Sequence, residues 1–174
     1  MSRPRKWTLI VLSLIVLGAC AVWFAIDLGR EGRGEKNHLS DPVLEVLHNP
    51  NHFELLSLDP NWPQDDESTS GTRPHELFHG YRVLGRVHAM KHARKIVSAI
   101  KGSLHVPTVY ATCFSPRHGV HAQRAGKTVD LLICYECGSI AVHSTVDGGG
   151  VFTDKSGRPV LDEILQKADV PLAP

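Results

Sequence analysis

The sequence predicts an α+β protein: an N-terminal transmembrane helix followed by one small domain with a mainly antiparallel sheet packed by helices. Three observations carry this expectation. A charge-free apolar run fills residues 7–26 behind a basic start. In the body, short segments rich in β-branched and aromatic residues alternate with turns containing Gly, Pro and Asp. Two segments of helical period, 87–101 and 159–168, interrupt and close that series.

Residues 1–6 contain Arg3, Arg5 and Lys6, and the run that follows from Trp7 to Ile26 is long enough at helical rise to cross a hydrocarbon core of about 30 Å. Trp7 and Trp23 lie near its two ends, where amphipathic rings favour the interface. The basic start outweighs the mixed charges of Asp27, Arg30, Glu31 and Arg33, so the positive-inside rule places the N-terminus in the cytoplasm and the body on the periplasmic side. Leu17-Gly18-Ala19-Cys20 resembles a lipobox and makes Cys20 a lipidation candidate. Ala21 to Ile26 stays apolar where lipoproteins turn polar, which favours an uncleaved signal anchor at 7–26 that meets membrane lipid. Residues 27–40 then read as a flexible linker, and 41–174 as the extracytoplasmic domain.

A net charge of +1 and the absence of a Lys/Arg tract in the body argue against nucleic acid as a partner. The composition leaves a protein or a small molecule as the expected partner, without saying which.

The domain's elements follow from local signals. Asp41-Pro42 supplies an acidic cap and an N1 proline for a short helix ending at Asn49-Pro50. Phe53 to Leu58 reads as a strand ended by Asp59-Pro60, although Phe53, Leu55 and Leu56 break clean alternation. Residues 61–73 lack periodicity and read as a solvated loop, and Tyr81 to Gly85 as a strand. Val87, Met90, Ala93, Val97 and Ile100 share one helical face, with Gly102 at C′. Thr108 to Phe114 is a β-branched and aromatic run that leads into Cys113 and is broken by Pro116. Gly119–Arg124 and Thr128–Cys137 form a hairpin around Ala125-Gly126, and the consecutive Leu131, Leu132 and Ile133 imply a strand covered on both faces. Ile140 to Val146 pairs next, residues 147–150 form a turn, and Pro159 opens a last helix with an apolar stripe from Val160 to Ala168. The sheet should hold roughly four to six strands.

His75-Glu76-Leu77-Phe78-His79 matches HExxH, in which two imidazoles one helical turn apart hold zinc and the glutamate acts as base. Pro74 before it, Gly80 after it and the strand that follows argue for a solvated turn instead, leaving a zincin site at His75, Glu76 and His79 as the remote alternative.

Residues 113–138 concentrate the chemistry. Cys134-Tyr135-Glu136-Cys137-Gly138 has the spacing of a zinc knuckle, with Gly138 free to take positive φ beneath the ion. Cys113 and His118 would complete a tetrahedral set, so the candidate zinc ligands are Cys113, His118, Cys134 and Cys137. The same CxxC is also a redox dithiol spacing, in which Cys134 and Cys137 would form a disulfide or a thiol–disulfide oxidoreductase centre. Buried apolar packing is a third reading, and all three stay open. Cys113 with His118 could also form a thiolate–imidazolium pair, with Arg117 as an anion fork, or Arg117 could simply pair with Glu136 or Asp130.

The segments FELLSLDP (53–60), YRVLGR (81–86), CFSPRHGV (113–120) and DLLICYEC (130–137) resemble a group of planctomycete-like bacterial proteins, membrane-anchored or exported, that have no established activity. The resemblance covers about residues 50–173 and implies that Cys113, Arg117, His118, Cys134 and Cys137 form a shared signature, while His75-Glu76 is peculiar to this chain. The expected function is thus a membrane-anchored extracytoplasmic module, noncatalytic, clamped by a structural zinc or a disulfide. No catalytic residue is assigned, and the dithiol oxidoreductase is the alternative.

Overall fold

The computed structural model describes residues 37–61, 76–108 and 113–174. The expected transmembrane segment 7–26, Cys20, most of the linker, His75 and the middle of the 108–114 run lie outside these residues. Among the described residues no helix is long and apolar enough to cross a membrane.

The domain is α+β, with one antiparallel sheet. In chain order its elements are α1 (Asp41–His48), β1 (His52–Leu58), β2 (Leu77–Phe78), β3 (Tyr81–His88), a 3₁₀ turn at Met90–His92, α2 (Ala93–Gly102), β4 (His118–Arg124), β5 (Lys127–Cys134), β6 (Ser139–Ser144), β7 (Gly149–Phe152), a second 3₁₀ turn (Lys155–Gly157) and α3 (Arg158–Lys167). The sheet has seven strands in the order β2-β3-β1-β4-β5-β6-β7. It exceeds the expected strand count because His79-Gly80 and the Gly149-Gly150 segment, read from sequence as turns, turn or pair short strands.

Each helix buries one stripe on the same face of the sheet. Val43, Val46 and Leu47 of α1, Ile96, Val97 and Ile100 of α2, and Leu161, Ile164 and Leu165 of α3 share a core with Phe53, Leu55, Val120, Leu131, Ile133 and Ile140. Burying each such side chain contributes about 1.5–3 kcal/mol, so this face holds the fold together. The opposite face carries a smaller cluster of Leu56, Leu58 and Leu132, under Phe78, Tyr81, Val83 and Phe114. Two-sided cover explains why β1 and β5 lack alternation: Leu55 and Leu56, or Leu131 and Leu132, enter different cores.

Two boundaries differ from expectation. The helical period at 87–101 includes Val87 and His88, but both belong to β3, and the α-helix begins only at Ala93 after the 3₁₀ turn. Strand pairing of β3 with β1 claims those two residues before the helix can. Cys113 lies on irregular chain rather than on a strand.

Ala125 and Gly126 both take positive φ (48° and 77°), the conformation of a two-residue hairpin turn that follows the strand twist. This turn sets the β4–β5 register, which places Ala122 opposite Val129 and His121 opposite Asp130.

Candidate functional site

The three downstream cysteines meet at one end of the sheet. Cys134 ends β5, and the turn 135–138 brings Cys137 back so that the two are joined as a disulfide, with Cα atoms 5.2 Å apart. Gly138 takes φ 66°, as the knuckle reading requires. The Cys137 amide donates to Cys134 Sγ at 3.0 Å, and the Ser115 amide donates to Cys137 Sγ at 3.3 Å. Cys113 is a free, exposed cysteine whose sulfur lies 3.6 Å from Cys137 Sγ. Cys134 and Cys137 are both buried.

His118 does not join them. It pairs with Ile133 in the β4–β5 register and faces the helices, whereas strand alternation sends Cys134 to the other side. Its Nε2 instead meets Asp162 Oδ1 of α3 at 2.7 Å, and its ring stands edge-on to Tyr135 at 5.8 Å. The expected Cys3His set therefore reduces to Cys113, Cys134 and Cys137, and the same placement separates His118 from Cys113 as a catalytic partner. Asp162 also receives Arg158 Nε at 3.2 Å. Burial pushes the Asp162 carboxyl up, but His118 and Arg158 outweigh that and hold it below its ordinary value. Burial raises the Tyr135 hydroxyl well above the usual phenol range.

Arg117 does not pair with Glu136 or Asp130. Its Nε donates to the Pro174 carbonyl at 2.6 Å, while Glu136 is taken by Lys155 and by Arg158 at 2.6 Å. Arg117 thus ties the C-terminal tail to the start of β4.

Among the described residues, 76–79 of the HExxH segment lead into and turn a β-hairpin. Leu77 and Phe78 pair with Arg82 and Tyr81, and the turn residues His79 and Gly80 take φ 49° and 86°. Glu76 precedes β2 and pairs with Arg86, and His79 Nε2 meets Asp130 Oδ2 at 2.8 Å. Leu77 and Phe78 are strand and His79 lies in the turn, so these residues do not form the helix that zincins use.

That hairpin leads to a feature absent from the sequence reading. A single row crosses five strands on the face away from the helices: His88 opposite Glu54, Glu54 opposite His121, His121 opposite Asp130, and Asp130 opposite His143. Imidazole and carboxylate alternate along it. His52 stands two residues before Glu54, on the same face of β1. His79 reaches in from the β2–β3 turn and stacks on His143 with ring centroids 4.3 Å apart. Asp130 joins His79 and His121 through its two oxygens, at 2.8 and 2.5 Å. No spacing motif encodes this row. The partial signal is His-x-Glu at 52–54, but the predicted strand begins at Phe53, one residue short of His52, and the rest depends on register.

No protein-family model matches the chain, and neither does any curated protein or solved structure. The chemistry of these two clusters therefore carries the functional argument.

Proposed function

We propose that this chain is a membrane-anchored, periplasm-facing module whose three-cysteine centre exchanges disulfides with a dithiol of a partner protein. The observation that carries this reading is the free Cys113 sulfur, 3.6 Å from the sulfur of an existing disulfide. A disulfide with a sequence separation of 3 closes a very short loop, so it constrains the unfolded chain little and serves poorly as a staple.

The internal step balances without an added reagent. The Cys113 thiolate attacks Cys137 Sγ, the Cys113–Cys137 bond forms, the Cys134–Cys137 bond breaks, and Cys134 leaves as a thiolate. The Cys137 amide already points at that sulfur and stabilises its charge. With a partner dithiol, one partner thiolate attacks Cys137 and its second thiol resolves the mixed disulfide. The partner gains a disulfide, and Cys134 and Cys137 receive its two electrons and two protons. The turn at 135–138 supplies no helix dipole to lower a thiol pKa, so the sulfur-directed amides are the activating groups.

A second reading has its own support. Amides aimed at Cys134 and Cys137, with Gly138 at positive φ, form the loop that zinc knuckles use, and the reduced centre offers three thiolates to a structural zinc with His118 outside the set.

One measurement separates them. The full chain, purified without added metal under nonreducing conditions, is alkylated, digested and mapped for cysteine connectivity alongside metal analysis. The exchange reading expects Cys134–Cys137, a minor Cys113–Cys137 species, no zinc, and slower reaction with dithiothreitol in a Cys113→Ser variant. Three alkylated cysteines at 113, 134 and 137 together with one equivalent of zinc would overturn it in favour of the knuckle.

A further inference from the structure

The row of imidazoles and carboxylates on the outer face is held more tightly than a solvated surface requires. Glu54, second in the row after His88, has a side chain only 6% exposed, although nothing in the helix-side core needs a carboxylate there. Its two oxygens are used differently. Oε2 receives Arg86 at 2.9 Å, and Arg86 is itself shared with Glu76. Oε1 points the other way, between His52 Nε2 at 3.3 Å and His88 Nδ1 at 3.2 Å.

We propose that His52, Glu54 and His88 form a binding site for a divalent first-row transition ion of the zinc class. The donor set is two imidazole nitrogens and one carboxylate oxygen, all within 4.8 Å of one another. Zinc bonds to such donors are about 2.0–2.2 Å long, and in a tetrahedron this puts neighbouring ligand atoms roughly 3.3–3.6 Å apart. The two nitrogen–oxygen separations at Glu54 lie at and just below the short end of that range. Arg86 acts from behind, holding the second carboxylate oxygen so that Oε1 faces the imidazoles.

Strand geometry sets the three donors before any ion arrives. His52 and Glu54 share a face because they are two residues apart on β1, and His88 stands opposite Glu54 on β3. Two imidazoles and one carboxylate leave a fourth position open. His88 is 72% exposed, so that position meets solvent or a ligand rather than protein. His121, also opposite Glu54, has its Nδ1 committed to Asp130, which leaves Nε2 as the nitrogen with a lone pair; its ring centroid is 5.7 Å from that of His52. It is the donor from the rest of the row that can follow the ion. The site does not depend on the cysteine centre and stands if the exchange reading fails.

The test uses the full chain in detergent, without a histidine tag, dialysed against chelator and kept oxidised so that Cys134 and Cys137 stay bridged. Zn2+ is titrated calorimetrically, and Co2+ is titrated by visible absorption. One ion is expected, with a cobalt spectrum of nitrogen and oxygen ligation that lacks thiolate charge-transfer bands. His88→Ala, at an exposed position that should fold normally, and Glu54→Gln, which keeps the shape of a buried residue, should each weaken binding at least about tenfold. His143→Ala, in the same row but outside the triad, should leave it unchanged. No binding to the wild-type chain, unchanged affinity in both His88→Ala and Glu54→Gln, or a thiolate-type cobalt spectrum would each overturn the assignment.

Discussion

Reducing the Cys134–Cys137 bond should lower stability by about 2 kcal/mol and leave the sheet folded. The bridged cysteines are three positions apart, so the closed loop spans four residues. The loop-closure relation for so short a ring gives an entropy loss of roughly 6 cal/mol/K in the unfolded chain, or about 2 kcal/mol at 25 °C. Domains of this kind have about 5–15 kcal/mol to lose, and truncating a buried residue such as Leu131 would cost about 2–5 kcal/mol by itself. Reduction removes no side-chain carbon or sulfur, so it tests the cross-link with little change in packing. Guanidinium unfolding followed by far-UV circular dichroism, oxidised against reduced, reads the difference, and a scan should show Tm falling by roughly 5–10 °C. A reduced protein that is unfolded without denaturant, or that loses more than about 4 kcal/mol, would make the bond a staple and refute the reasoning that frees it for exchange.

The remaining predictions concern packing and pH. A Cβ at Gly157 would lie 2.6 Å from Tyr135 Oη and 2.9 Å from the Ala99 carbonyl oxygen, so Gly157→Ala should cost about 1–3 kcal/mol in a denaturant midpoint assay. At Gly119 the added carbon would meet the Phe78 ring at 3.1 Å, and Gly119→Val should instead displace the β2–β3 hairpin, seen as faster amide exchange in 77–82. Because Asp162 titrates below its ordinary 3.8 in the folded state, its stabilisation is present above that value and is lost as pH falls through the lower folded pKa. Asp162→Asn should therefore flatten the acid limb of stability between pH 5 and the acid end, measured by thermal unfolding. Tyr135 has the opposite sign: its raised pKa gives stability that is full below 10 and lost as pH rises beyond it, and Tyr135→Phe should remove that alkaline dependence. Phe78→Ala should cost up to about 3 kcal/mol and speed alkylation of Cys113, since Phe78 and Phe114 share the outer cluster.

Local signals made much of the fold legible. Asp41-Pro42 and Pro159 opened the helices, Ala125-Gly126 turned the hairpin, and the Leu131-Leu132-Ile133 run marked a strand with two covered faces. The failures share a cause. Val87 fits a helical face and His88 falls within the helical span, and Gly149-Gly150 fits a turn, yet strand pairing claimed them all, with β1 for the first two and the adjacent β6 for the glycines. The cysteine centre was half legible: Cys-x-x-Cys-Gly specified its own turn, and Cys113 proved to be adjacent. His118 was misplaced because loop proximity in sequence does not reveal which face of a strand a side chain takes, and β4 pairing put it on the helix side. The histidine row was hidden for the same reason, since its members at 52, 54, 88, 121, 130 and 143 become neighbours only through four register relations.

The two sites also have a common physical origin in the uneven cover of the sheet. Three helices seal one face, and no imidazole could enter that core without a partner; His118 is there only because Asp162 answers it. Among the described residues, the other face is covered by the β2–β3 hairpin and the 113–117 segment, joined where Tyr81 Oη donates to the Phe114 carbonyl at 3.2 Å. Phe78 and Phe114 exclude water from Leu56, Leu58 and Leu132, and their chain neighbours are His79 and Cys113. The same small cluster thus positions the residue that stacks at one end of the histidine row and the thiol that faces the disulfide. Beyond its edge the face is wet enough for exposed imidazoles, yet dry enough at Glu54 for a carboxylate to need its partners. A face sealed throughout would bury the row, and a bare one would leave its donors mobile; partial cover gives both clusters order together with access.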